Sequence, residues 1–364
     1  MMPRHTNTVA DLTNITHRFA RKRTALPAPQ VLVRAPGVEF ASGDRDRRFH
    51  AASVGKMMTA TLAFQLAERG VLDLSAPLPS LLPAGEVDGL FVHEGRDAAA
   101  SVTPLNLLTH TSGAADYFEG PNDTGELFTT RVTQRPDELF APADLLTFSR
   151  EHQRPVGAPG ERFAYSDTGY VLLARVIEEA GGASFATQLH ERLFAPAGMA
   201  ASCLLFHTTP GGAASVDPEP GAALDIAPIL VDGVDLSRAR SLSCDWGGGG
   251  IVSTLDDLHR FATAWHGGSL LGDASRARMA RIEHRFRPGI HYGAGLMQLR
   301  YAGFFPLLFG LPRTIGHLGV TGVHLFSDPQ RDISIVLNLH STREMTRSFQ
   351  LHIQLLQRVL RGLR

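Results

Sequence analysis

Ser53 and Lys56 are the first residues whose types and spacing could do chemistry. They stand as Ser53-Val54-Gly55-Lys56 at the head of an apolar helical stretch. Residues three apart share a helix face, so the amine can reach the hydroxyl. A serine hydroxyl is a weak nucleophile until a base takes its proton, and a desolvated lysine amine can take or relay it. A helix start adds free N–H groups and a positive dipole end, which favour a developing oxyanion. The competing reading is a capping serine followed by a surface lysine. Of the 35 basic residues only Lys22 and Lys56 are lysines. Arginine cannot lose its proton in a protein, whereas lysine can, which favours the chemical reading. A phosphate loop around Gly55-Lys56 is excluded, because the glycine it needs five residues earlier is His50.

The elements that must position these residues follow from periodicity. Val9, Leu12, Ile15 and Phe19 predict a helix over 8–22. Two strands, 30–34 and 38–41, flank a Pro36-Gly37 turn. Val54, Met58, Leu62 and Leu66 recur every four residues after Ser53, and Gly70 supplies the stop. Thr103-Pro104 starts a short helix over 105–110, Asp167 could cap one containing Val171 to Ile177, and Thr254 to Asp257 resembles a capping box. Stretches 292–299, 322–326 and 333–339 read as strands, 345–363 as an amphipathic helix, and 210–222 as a loop. Helix and strands at the start thus match strands and a helix at the end. The expected fold is α+β: an antiparallel sheet flanked by N- and C-terminal helices, with a mostly helical lobe inserted. As a single domain, 1–364, it would take its sheet lobe from 1–52 and 245–364 and its helical lobe from 53–244.

Composition narrows the class. The 364 residues carry a formal net charge of -1 with 43% hydrophobic residues, which gives no basic surface for nucleic acid. Cys203 and Cys244 are too few for a disulfide framework or a four-cysteine zinc site. No His-Glu-x-x-His motif is present and the scattered histidines lack ligand spacing, so neither metal nor organic cofactor is expected. The longest apolar run, near Ala302–Pro312, is too short to span a membrane, and no apolar leader follows the first basic residues. A cytoplasmic location is the expectation. No Gly-x-Ser-x-Gly elbow appears, against an α/β-hydrolase.

Further motifs follow in order: Leu107-Leu108-Thr109-His110-Thr111-Ser112-Gly113, then Pro159-Gly160-Glu161-Arg162-Phe163-Ala164-Tyr165-Ser166-Asp167, then Gly247–Gly250, and last Gly316-His317-Leu318-Gly319-Val320-Thr321-Gly322. This series resembles the class C β-lactamase-related serine hydrolases, a group with esterases, D-amino-acid amidases and peptidases, over roughly residues 25–362. The resemblance implies Ser53 as acylated nucleophile, Lys56 in its proton network and Tyr165 as second base. It implies an oxyanion hole from the N–H groups of Ser53 and Val320, and a substrate-facing strand carrying His317 and Gly319. It implies that Leu107–Gly113 and Gly247–Gly250 serve packing. A phenol normally titrates near 10 (~10), so Tyr165 would need nearby positive charge, with Lys56 its source.

Two departures from the family pattern bear on substrate. Asp167 stands where the family has asparagine, and either caps a helix or pairs with Lys56. His317 replaces a lysine that would attract a substrate carboxylate. The expected reaction is acyl-enzyme hydrolysis of small neutral or cationic esters or amides rather than β-lactams. The alternatives are a non-catalytic binding or sensory protein on the same fold, and a D-alanyl-D-alanine-type peptidase. The stretch Phe304–Phe309 is a lip over the acyl group, a homodimer contact or core.

Overall fold

A computed structural model describes residues 3–214 and 224–363. Of the loop expected over 210–222, positions 215–222 lie outside the described residues. Eight strands form one antiparallel sheet: β1 (Gln30–Ala35), β2 (Val38–Ser42), β3 (His284–Arg287), β4 (Ile290–Tyr292), β5 (Met297–Leu299), β6 (Thr314–Gly319), β7 (Val323–Asp328) and β8 (Ile333–Asn338). Their order is β3-β4-β5-β6-β7-β8-β1-β2. The two ends of the chain therefore meet inside the sheet, with Gln30 opposite Asn338 and Arg34 opposite Ser334.

The central strands β7 and β8 are buried on both faces, so their hydrophobic signal is continuous rather than alternating. On the outer face, Val31, Val33, Ile335 and Leu337 pack against helices α1 (Pro3–Arg21) and α5 (Met345–Gly362) through Leu12, Leu351, Leu355 and Val359. On the inner face, Leu32, Leu325 and Val336 belong to the larger core. That core includes α2 (Gly55–Glu68), α3 (Asp167–Gly181) and α4 (Leu255–His266). The α+β expectation holds: an antiparallel sheet carries helices on both faces, with a mostly helical region between its two contributing segments.

Three local expectations change. The stretch 292–299 is not one strand but the end of β4, a turn and β5; Gly293 and Gly295 break it, and Gly295 sits at φ +77°. Strand β3 alternates over only four residues, His284–Arg287, too few to mark it in the sequence, and β6 is buried from Gly316 onwards and carries no alternation. The cap of α3 is Ser166, whose hydroxyl accepts from the Gly169 N–H at 3.2 Å, and Asp167 is the first helical residue. That frees the Asp167 carboxylate for another partner.

Candidate active site

The segment before Ser53 is held by a small sheet. Phe49 and His50 pair with Ser253 and Val252 of strand Ile251–Ser253, which also pairs with Cys203–Leu204. Ala51 donates to the Ile251 carbonyl at 2.8 Å. Ala52 then turns through φ +48°, a left-handed conformation costly for a residue with a Cβ. A single 3₁₀ turn, Ala52–Val54, carries Ser53, and α2 begins at Gly55. Ser53 thus lies in the turn feeding the helix, partly exposed, while Lys56 is wholly buried in its first turn.

Three partners surround the Lys56 ammonium. It donates to Ser53 Oγ at 3.3 Å, to the Gly248 carbonyl at 2.8 Å and to Asp167 Oδ1 in a close ion pair. Of the two readings of Asp167, the structure supports the pairing with Lys56. The glycine run makes this possible. A Cβ on Gly248 would fall 2.2 Å from Asp167 Oδ1, and one on Gly247 2.6 Å from the Tyr170 carbonyl. A Cβ on Gly249 would meet Ala52 at 2.6 Å. Gly247–Gly250 is therefore a spacer that brings α2 and α3 within reach of each other, in line with the packing role expected of it.

Tyr165 lies beside the nucleophile, where the Ser53 side chain favours its ionised form against burial and Asp167. His110 orients it: its ring lies 4.3 Å from that of Tyr165, 5.0 Å from Tyr170 and 4.7 Å from Tyr292. His110 Nδ1 accepts from the Ser166 N–H at 3.1 Å, and the His110 carbonyl accepts from Ala164 at 2.8 Å. Leu107–Gly113 thus acts as the bracket for Tyr165. The expected lowering of the Tyr165 phenol by Lys56 is not found. Burial and the Asp167 carboxylate hold it well above its ordinary value, and Lys56 lies over the face of the ring, 4.9 Å from its centre, rather than at the hydroxyl.

His317 and Gly319 also differ from expectation. His317 is fully buried; Nδ1 donates to its neighbour's carbonyl, Leu318 O, at 2.7 Å, and Nε2 accepts from the Tyr292 hydroxyl at 3.2 Å. Burial, then Lys56, push it down to about 3, so it is a neutral ring that fixes Tyr292 rather than a substrate contact. Gly319 is a close-approach residue: a Cβ there would sit 2.8 Å from the Ala51 carbonyl. That contact brings the end of β6 against the nucleophile turn and sets Val320, half-exposed, at the mouth. Among the described residues, neither the Ser53 nor the Val320 N–H has a protein acceptor. Residues 317–319 pair with β7 but not with β5, which leaves a short open edge beside them.

These groups open onto a cavity of about 1180 Å³ lined by Ser53, Tyr165, Asp167 and Val320. Sequence reasoning missed three further wall residues: His50, Asp116 and Asp245. None belongs to a recognisable motif, and only folding brings them together. Phe304, Phe305 and Leu308 form part of the wall, while Leu307 and Phe309 project outward, so the 304–309 stretch is a lip. No cluster able to hold a metal ion occurs among the described residues.

Fold and site together define a class. The Beta-lactamase family model matches residues 26–358, and the chain belongs to that family. It is 30% identical over 236 residues to Penicillin-binding protein 4 of Amycolatopsis lactamdurans, covering 60% of this chain and 56% of that one. The matched stretch is thus little more than half of that relative. Among solved structures, the D-amino acid amidase of Ochrobactrum anthropi SV3 superposes with a TM-score of 0.76 at 22% identity, over 97% of this chain and 100% of that one. A D-stereospecific amidohydrolase from Streptomyces sp. gives 0.72 at 23%, over 90% and 94%. At such identities these two show a shared fold.

Proposed function

We propose that the chain is a serine hydrolase acting through an acyl-enzyme on small neutral or cationic esters or amides. The observation that carries this reading is the triple engagement of Lys56 with Ser53, Asp167 and Gly248, with the Tyr165 ring packed over the same ammonium. An ammonium paired with a carboxylate is a donor, so Lys56 supplies fixed charge beside the oxygen that develops charge. The proton is handled by Tyr165. As Ser53 Oγ attacks the carbonyl carbon, its proton passes to the phenol oxygen while the phenol's own proton passes to the leaving atom. The phenol is neutral before and after, as its raised pKa requires. The N–H groups of Ser53 and Val320 receive the oxyanion. In deacylation a water attacks the acyl carbon and gives its proton through Tyr165 back to Ser53 Oγ.

Charge supports the substrate class. The cavity wall carries Asp116, Glu119, Asp167, Asp232 and Asp245 against one guanidinium, Arg287. As Asp116 and Asp245 ionise through about 7 and 8, a carboxylate-bearing β-lactam meets growing repulsion there, and no lysine stands at position 317 to offset it. Short-chain p-nitrophenyl esters should be hydrolysed by the wild type and not by Ser53→Ala, with nitrocefin turned over poorly. Equal ester rates in the two proteins would overturn the assignment of Ser53. Efficient nitrocefin turnover would overturn the substrate class.

A further inference from the structure

Asp245 is a costly residue in its present surroundings. Its side chain is 15% exposed and turned to the cavity, yet among the described residues it makes no hydrogen bond. Among the described residues its one ion-pair contact is with His50 Nε2 at 3.7 Å, beyond hydrogen-bond reach. His50 cannot serve as its cation. Nδ1 accepts from the Ala52 N–H at 3.2 Å, and burial pushes the ring down to about 4, so Nε2 carries the proton of a neutral imidazole. That Nε2 is itself buried without a partner, on a residue only 4% exposed that also lines the cavity.

Asp116 differs. Its carboxylate accepts from the backbone N–H groups of Asp167, Phe118 and Glu119 at 3.1–3.3 Å, which braces the start of α3. Asp167 is taken by Lys56. Three carboxylates thus share one ammonium, and Asp245 is the one left without a partner. Burial first, then the Asp167 charge, push Asp245 up to about 8 and Asp116 up to about 7; Lys56 opposes both. A buried carboxylate without a counter-charge destabilises the fold, and a cation entering the cavity would relieve that cost.

We propose that Asp245, beside His50, is a specificity-determining residue that holds an ammonium group on the acyl part of the substrate. This rests on Ser53 as nucleophile and narrows the substrates to amino-bearing acyl donors, such as amino-acid amides or esters with a free amine. Gly249 ties the two together, since a Cβ there would touch both Ala52, the residue before the nucleophile, and Asp245 Oδ2 at 2.8 Å. The ammonium would donate to Asp245, and an acceptor atom next to it would take the His50 Nε2 proton. A guanidinium in the same place is the rival cation. It would lie flat and bidentate, so shortening it to an amine of equal reach would weaken it.

The test uses two probes on the intact chain: an aminoalkyl fluorophosphonate and its isostere with methyl in place of ammonium. The site and second-order rate of labelling are read by mass. In the wild type the amino probe should label Ser53 about 10- to 100-fold faster, the range of a charge-assisted hydrogen bond. In Asp245→Asn the ratio of the two rates should fall towards one. Equal rates in the wild type, or an unchanged ratio in a folded Asp245→Asn, would overturn the inference while leaving Ser53 as nucleophile. Labelling elsewhere than Ser53, or none with either probe, would remove the reading of Ser53 and the inference with it. Should Asp245→Asn fail to fold, the wild-type ratio and its decline with added salt decide the matter. A guanidinoalkyl probe that outruns the amino probe tenfold would reassign the cation and overturn the amine.

Discussion

At the scale of single residues, Asp167 sets the electrostatics of the site. It is the second-ranked influence, after burial, raising Asp116, Tyr165 and Asp245. Replacing it with asparagine removes a negative charge from all three, so each should titrate at lower pH than in the wild type. We expect Asp167→Asn to move the inflection of the kcat/KM pH profile, near 7–8 if Asp116 and Asp245 govern it, to lower pH, with a reduced rate. A profile superimposable on the wild type would show that the Lys56–Asp167 pair is uncoupled from catalysis. Ser53, Lys56, Tyr165 and Asp167 were legible in the sequence because each sits in a short motif. Asp245 was not, because its meaning is the absence of a partner, which only the folded environment defines. His317 misled because residue type says nothing about burial: its neighbours on β4 and β6 close over it.

At the scale of elements, the helices were read best where one face is polar. Helix α5 was expected over 345–363 and spans Met345–Gly362. Strand β6 was expected only through its motif. It is buried from Gly316 onwards, so no period of two marks it. The β4–β5 turn shows why 292–299 could not be read as two strands: the break exists to let α2 approach. A Cβ on Gly295 would lie 2.1 Å from that of Ala60, and the residue sits at φ +77°. Gly295→Ala should therefore combine backbone strain with overpacking and cost about 2–4 kcal/mol of stability. Denaturant unfolding checks this, and an unchanged midpoint would mean that α2 and the turn are free to separate.

At the scale of the whole molecule, two sets of buried groups pull stability in opposite directions with pH. His50 at about 4, and His317 and His352 at about 3, are held neutral by burial. Their folded values lie below the unfolded one, so their contribution is complete above about 6.5 and lost as pH falls towards 4. Asp116 and Asp245 have folded values raised to about 7 and 8, so their contribution is complete below about 4 and lost as pH rises through 7–8. Melting temperature should peak in the weakly acidic to neutral range. Asp245→Asn should raise Tm more at pH 8 than at pH 5; the reverse order would mean that Asp245 is stabilised by a partner in the fold.

The pairing of β1 with β8 has a consequence for how the chain is made. The β1–β2 hairpin leaves the ribosome some three hundred residues before its partner Ile333–Asn338. Until then the β1 edge of the hairpin stays unpaired, and α1, already made, is the one helix available to its outer face. The sheet cannot close during synthesis, and the longest-range contacts form last. During most of translation the nascent chain carries an unpaired β1 edge, and in the cell that interval is the one in which a holding chaperone would matter most.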